Sequence, residues 1–246
     1  KTAGQDLGTQ IRVRHMMESV DRSGKPEPGS MAESRRKTIP EDTLRYYRGL
    51  VGQIEIALPR QASRVLLFTS SMQGEGTTEI ATGVSLTLAA AMGRPTALVD
   101  CNVHTPDIHR RFGVEDVGLY EYLRGRIDLE HALLNTLVPN LHIMPLGAGL
   151  TSLAGIDKDQ FGEFIAAMRS RFEYVVLDSA AVGLSPETTI LCDMTDAVVL
   201  VVGYGSTRRE VVRKTKEMIE RAGGRVLGAV LNKRKFPIPE FLYRRL

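Results

Sequence analysis

The stretch Leu66-Leu67-Phe68-Thr69-Ser70-Ser71-Met72-Gln73-Gly74-Glu75-Gly76-Thr77-Thr78-Glu79-Ile80-Ala81 runs on through small residues to Ala90. An apolar, β-rich run from Arg64 to Ser70 enters a glycine turn, and the turn leads into a helical pattern. Strand, glycine loop and helix in that order are the setting in which a P-loop cradles phosphate. Loop N–H groups and the positive end of the helix dipole hold the anion. One residue breaks the pattern: Thr77 stands directly after the second glycine, where such a loop carries a lysine.

Working outward, a helix is predicted from Pro40 or Glu41 to Ala57, with Leu44, Tyr47, Val51, Ile54 and Leu58 at helical spacing. After the loop, strands and helices alternate. Strands are expected at Arg64–Ser70, Thr96–Asp100, Leu141–Pro145, Tyr174–Asp178, Ala197–Val202 and Arg225–Asn232. Helices are expected at Thr77–Met92, around Gly118–Leu123, and at Leu129–Leu134, Lys158–Phe172, Pro186–Cys192 and Arg208–Ala222. Near-continuous apolar strands such as Tyr174-Val175-Val176-Leu177 suit parallel strands buried on both faces. The pattern predicts an α/β fold: a doubly wound, mostly parallel sheet flanked by helices in three layers, with its site at the strand carboxyl ends. Residues 1–40 mix Gly, Pro, Ser and charges without a period and read as a flexible leader to a domain at 41–246, whose tail is 233–246.

A formal charge of +3 over 246 residues does not argue for nucleic acid as a partner. Positive charge collects near both ends, at Arg12, Arg14, Lys25, Arg35, Arg36 and Lys37 and again at Lys233, Arg234, Lys235, Arg244 and Arg245. Solvated termini are the plain explanation, and attraction to an anionic membrane surface the sharper one. Cys101 and Cys192 fit no metal or redox spacing and suggest reduced thiols in the cytoplasm. His15, His109, His131 and His142 show no ligand spacing. No apolar run reaches the roughly 18 residues of a membrane helix.

Two acidic residues close strands: Asp100 in Ala97-Leu98-Val99-Asp100-Cys101-Asn102, and Asp178 in Val175-Val176-Leu177-Asp178-Ser179. With Thr78 in the loop, these are the positions from which an NTPase holds magnesium and a water. A single strand-terminal Asp is more often a cap or turn residue. Two beside a glycine loop strengthen the phosphate reading.

With these residues in hand, the chain resembles the cytoplasmic kinase domain of bacterial tyrosine kinases, the P-loop autokinases that work with polysaccharide co-polymerases in capsule and exopolysaccharide assembly. The loop Ser70-Ser71-Met72-Gln73-Gly74-Glu75-Gly76-Thr77-Thr78 matches that family's Ser-x-x-x-Gly-Glu-Gly-Lys-Ser/Thr, and Asp100-Cys101-Asn102-Val103-His104-Thr105-Pro106 matches its Asp-x-Asp-x-Arg-x-Pro. Asp178-Ser179-Ala180-Ala181 stands for its second acidic strand, and Thr207-Arg208 and Leu231-Asn232 for a helix start and a strand end. Asp42-Thr43-Leu44-Arg45-Tyr46-Tyr47-Arg48 matches the Glu-x-x-Arg-x-x-Arg helix that builds a ring-shaped oligomer, with Asp for Glu.

The resemblance implies nucleotide and phosphate binding at Gly74, Glu75, Gly76, Thr77, Thr78, Glu79, Arg208 and Asn232. It implies magnesium at Thr78, Asp100 and Asp178, chemistry at Asp100, Asn102 and Asp178, and oligomer contacts through Asp42, Arg45 and Arg48. The cofactors would be ATP or ADP with Mg. The partners would be a membrane polysaccharide co-polymerase, an active sister kinase and further copies of the chain, at the inner face of the plasma membrane.

The departures weigh against catalysis. At roughly 4 Å and an effective dielectric near 20, a lysine–phosphate charge pair is worth about 4 kcal/mol before desolvation, and a threonine hydroxyl cannot replace it. Asn102 replaces a carboxylate and cannot serve as a base. His104 and Thr105 replace basic residues, and the tail holds one tyrosine, Tyr243, where the family has a cluster of phosphorylation targets. Together these imply a pseudokinase acting as a scaffold or regulator. The alternatives are an active autokinase, with Arg208 or a neighbouring subunit's arginine supplying the charge, and a partition- or septum-site-type ATPase. Plain readings stand beside the sharp ones: Gly74 and Gly76 as a tight turn, Asn102 and His104 as turn residues, Asp42, Arg45 and Arg48 as a surface salt-bridge ladder, and the apolar tail docked on its own domain.

Overall fold

The computed structural model describes residues 41–148 and 158–233. The predicted leader, Tyr243 and the tail beyond Lys233 lie outside the described residues, as does the side chain of Asp42. The chain opens with α1 (Glu41–Ala57), followed by β1 (Arg64–Ser70), α2 (Thr77–Leu86), β2 (Thr96–Cys101), α3 (Ile108–Phe112), α4 (Leu119–Leu123) and α5 (Leu129–Ala132). It continues through β3 (Leu134–Asn135), β4 (Leu141–Met144), α6 (Lys158–Arg169), β5 (Tyr174–Ser179), α7 (Pro186–Asp193), β6 (Ala197–Gly203), α8 (Arg209–Arg221) and β7 (Val226–Asn232).

The seven strands form one sheet in the order β3-β4-β2-β5-β1-β6-β7, and every pairing is parallel except β3 with β4. Alternation along the strands splits the core. Val65 and Leu67 of β1 face α4 to α8, packing with Phe161, Phe164, Met168 and Leu191. Leu66 and Phe68 face α1 and α2, packing with Val51, Ile54, Ile80 and Val84. This is the expected three-layer, doubly wound architecture. The chain crosses over β5 to pass from β1 to β2, and over β1 to pass from β5 to β6. The crevice at the carboxyl ends of β1, β2 and β5 is therefore the topological switch point, where α/β sheets bind ligands.

Four local expectations need correction. The helix after the loop does not run regularly to Met92: α2 ends at Leu86 and a π-helical segment covers Thr87–Ala91. Thr87 donates to the Gly83 carbonyl and Ser85 to the Ala81 carbonyl, the back-bonding that loosens a helix. The helix expected over Leu129–Leu134 stops at Ala132, and Leu134 instead starts β3, which pairs with β4. The short helix α3, absent from the sequence reading, follows Asp107 and is stopped by Gly113 in the left-handed conformation. The strand expected to close on Asp100 extends to Cys101.

Tyr47 fixes α1 on α2. Its ring lies over Gly83, where an added Cβ would fall 2.1 Å from Cζ, and its hydroxyl donates to the Glu79 carbonyl at 3.3 Å. Gly83→Ala should therefore lower stability by about 1–3 kcal/mol, although alanine favours a helix by itself. The loss should shrink in a Tyr47→Leu background, as read by denaturant unfolding. An additive double variant would contradict the contact.

Candidate phosphate-binding site

β1 delivers the chain to the loop. Ser70 at its end donates to the Met72 carbonyl at 2.9 Å, and Thr69 donates to the Ala180 carbonyl beyond β5 at 2.7 Å. The turn needs glycine where it meets the helix. Gly76 has φ 90°, and a Cβ there would lie 2.2 Å from Nδ2 of Asn232. It caps α2 without a side chain, so the first-turn amides from Thr77 onward have no capping acceptor from that residue.

Glu75 sets the loop's shape. Its side chain is buried, and one oxygen accepts the N–H groups of Ser71 and Met72, both at 2.8 Å. The other accepts from Gly203 N–H at 2.7 Å and from the Thr207 hydroxyl. Asn232, at the end of β7, donates from Nδ2 to the Glu75 carbonyl at 3.0 Å. Lys233 follows, and its ammonium donates to the Gly74 carbonyl. The residues expected to touch phosphate through this loop are thus together, but Glu75 and Asn232 act as braces. Thr77 is buried at 7% exposure, and Thr78 is half-buried.

Asp100 and Asp178 are register partners on adjacent strands and both fully buried. Their environments differ. Asp100 accepts N–H groups from Asn102 and Asp107 at 3.0 Å and Ile108 at 3.1 Å, so it anchors the start of α3. Neither oxygen of Asp178 has a partner of good geometry. Burial pushes the Asp100 carboxyl up to about 6 against the three backbone N–H bonds. Burial, and then the charge of Asp100, push Asp178 well above the usual range, with the Thr78 hydroxyl opposing. An orphaned carboxyl next to Thr78 fits magnesium, which takes one or two carboxylates and completes its shell with phosphate and water. Asp100, already accepting three amides, fits that task less well.

Asn102 is a turn residue. Its Oδ1 accepts from His104 and Thr105 N–H at 3.3 and 3.1 Å, and its Nδ2 donates to the Thr105 hydroxyl at 3.1 Å. His104 Nε2 lies 3.1 Å from the Leu184 carbonyl and ties the β2 end to the segment after β5. A cavity of about 250 Å³ lies over the loop, lined by Gly74, Gly76, Thr77, Thr78 and Glu79 with Asn102, Arg111 and Lys233 among others. A neighbouring cavity of about 320 Å³ shares Thr78, His104 and Thr105. Arg208 lines neither; it caps α8. Arg111 and Lys233, which the sequence reading missed as site residues, do line the first. Lys233 had one signal, its place directly after the strand-ending Asn232.

The sheet order, the loop and the paired acidic strand ends define a P-loop NTPase-like protein with the architecture of a kinase domain. Tyrosine-protein kinase CpsD of Streptococcus agalactiae is 30% identical over 194 residues, covering 78% of this chain and 83% of its own. The chain therefore belongs to the bacterial tyrosine-protein kinase family. No protein-family profile matches it.

Among solved structures, the chimerical protein CapA2B2 superposes with a TM-score of 0.69 at 25% identity, covering 77% of this chain and 84% of its own. The kinase domain of Escherichia coli tyrosine kinase ETK gives 0.73 at 16% identity over 85% and 88%. The septum site-determining protein MinD of Pyrococcus horikoshii, complexed with Mg-ADP, gives 0.61 at 23% over 74% and 76%, a likeness of fold alone.

The raised carboxyls carry a testable sign. Between about pH 4, where an unfolded Asp ionises, and about 6, native Asp100 holds a proton that the unfolded chain has released. Stability contributed by this group thus falls as pH rises through that window. Asp178→Asn removes the neighbouring charge demand. Without nucleotide it should raise the thermal midpoint at pH 7 by a few degrees, on the order of 1 kcal/mol, and flatten the slope between pH 4 and 6. A lowered midpoint at pH 7 would contradict the assignment.

Proposed function

We propose that this chain is a pseudokinase: a tyrosine-kinase-like P-loop protein that keeps the nucleotide-site architecture and serves as a scaffold or regulator of polysaccharide assembly. The observation that carries the reading is Thr77, buried where the loop would present its lysine. Two others support it: the Asn102 amide is engaged in its own turn, and Asp100 already accepts three backbone amides. Phosphoryl transfer depends on positioning and charge neutralisation, and each of these removes a charge or occupies one. ATP or ADP with Mg is the ligand this site would take, with Asp178 and Thr78 as the metal-side residues.

The proposed partners follow from the family. A membrane co-polymerase would place the chain at the inner face of the plasma membrane, and an active sister kinase would supply catalysis. The likeness to the chimerical protein CapA2B2 supports a reading in which a second chain accompanies the kinase-like unit. No helix among the described residues is long and apolar enough to cross a membrane. Self-association through α1 is supported by Arg45, Tyr46 and Arg48, exposed on one stretch of the helix whose opposite face holds Tyr47 and Val51.

The second reading is an active autokinase with a rearranged site. It is favoured by Asp178, whose oxygens remain free to meet a metal. Quantitative phosphotyrosine mass spectrometry separates the two. Incubated with Mg-ATP, the full chain should show no phosphotyrosine above an Asp178→Ala control, and Thr77→Lys with Asn102→Asp should raise the signal. Robust phosphorylation of the unaltered chain, lost in Asp178→Ala, establishes the second reading. Arg45→Ala combined with Arg48→Ala should lower the mass seen by light scattering, and an unchanged mass removes the α1 assignment.

A further inference from the structure

We propose that Lys233 supplies the positive charge the loop lacks, so that phosphate is met by a lysine from the end of β7 rather than from the first turn of α2. This rests on reading the loop as a phosphate site and names the residue that completes it.

Three observations meet at Lys233. First, the end of β7 is built against the loop: Asn232 Nδ2 donates to the Glu75 carbonyl, and Gly76 is bare because a Cβ would strike that same nitrogen. Second, Lys233 takes φ 58°, a left-handed conformation uncommon outside glycine, and its N–H donates to Oδ1 of Asn232 at 2.8 Å. That turn brings the side chain back over the loop, where the ammonium reaches the Gly74 carbonyl. Third, no carboxylate among the described residues compensates the charge. Arg111, the other cation on this cavity, is paired with Asp107 at 2.7 Å. Lys233 meets only a neutral carbonyl and no carboxylate among the described residues.

An ammonium has three donors. The Gly74 carbonyl takes one, and two remain for phosphate oxygens at the mouth of a cavity whose other wall is Thr77 and Thr78. Thr78 also lines this cavity, and beside its hydroxyl lies Asp178, buried and without a hydrogen-bond partner of good geometry, so the Thr78 side suits a metal. A cation for the phosphate and a carboxylate for its metal are the charges a metal-bound polyphosphate requires.

The test is calorimetric titration of ADP and, separately, inorganic pyrophosphate into the full chain and its variants. The unaltered chain should bind both. Lys233→Met should weaken both at least tenfold with little change in thermal midpoint. Lys233→Gln, which keeps a donor for the Gly74 carbonyl but no charge, should weaken them as much. Thr77→Lys in the Lys233→Met background should restore binding.

Equal affinity in the unaltered and Lys233 variants overturns the inference and leaves the phosphate site standing. A loss for ADP without a loss for pyrophosphate overturns it too, by placing the lysine away from phosphate. Rescue by Gln to full affinity reduces Lys233 to a loop brace. If the unaltered chain binds neither probe but Thr77→Lys does, the inference fails and the loop reading holds. If Thr77→Lys also fails to bind, both fall.

Discussion

Glu75 is the constraint on which the loop depends. A carboxylate removed from water costs several kcal/mol unless its lone pairs are matched, and this one meets four donors. Two belong to its own loop, one to the end of β6 and one to the turn before α8. The loop at 71–76 is therefore not free to relax when the cavity is empty. Its form is set by β6 through Glu75 and by β7 through Asn232. The strand order β5-β1-β6-β7 matters for this reason: it brings three strand ends to one turn.

The acidic end of the sheet follows a different logic. Asp100 and Asp178 are side by side in register, yet one carboxyl is surrounded by donors and the other has none. Asp100 spends its lone pairs on the chain that leaves β2, fixing the turn through Asn102 and the start of α3. Asp178 has no structural use of that kind. Burial, and then the charge of Asp100, push its carboxyl well above the usual range, with the Thr78 hydroxyl opposing.

Much of this was legible in the sequence. Apolar runs located six of the strands to within a residue or two, and the period of Tyr47, Val51, Ile54 and Leu58 located the buried face of α1. The glycine turn and the two strand-ending acids were readable because they are local patterns. β3 was not, because two residues carry no periodicity; only pairing with β4 makes them a strand. α3 was hidden because its start is anchored by Asp100, not by a neighbouring cap residue. Sequence alone leaves Asn102 open between turn residue and site group, because the partners of its amide are set by the fold. By sequence Lys233 is one of several charges at the C-terminal end. It lies 159 residues from Gly74, and only the sheet order brings the two together.

A threonine at position 77 and an unpartnered carboxyl at Asp178 pull in opposite directions energetically. A threonine in a turn costs nothing by itself, so Thr77 is compatible with a chain that has no ligand. A buried carboxyl without a partner is different. It destabilises the empty fold; an apolar side chain of similar size would remove the penalty, and an amide the part that comes from charge. A chain that only presented its outer faces to partners would gain nothing from it. A cation entering beside Thr78, where Asp178 lies, would offset that penalty. A metal accompanied by phosphate, the ligand proposed for this site, would do so with one or two carboxylates and complete its shell with phosphate oxygens and water. The anionic half of that ligand then needs its own counter-charge on the loop side. With position 77 neutral and Arg111 already paired, the end of β7 is where the described structure offers it.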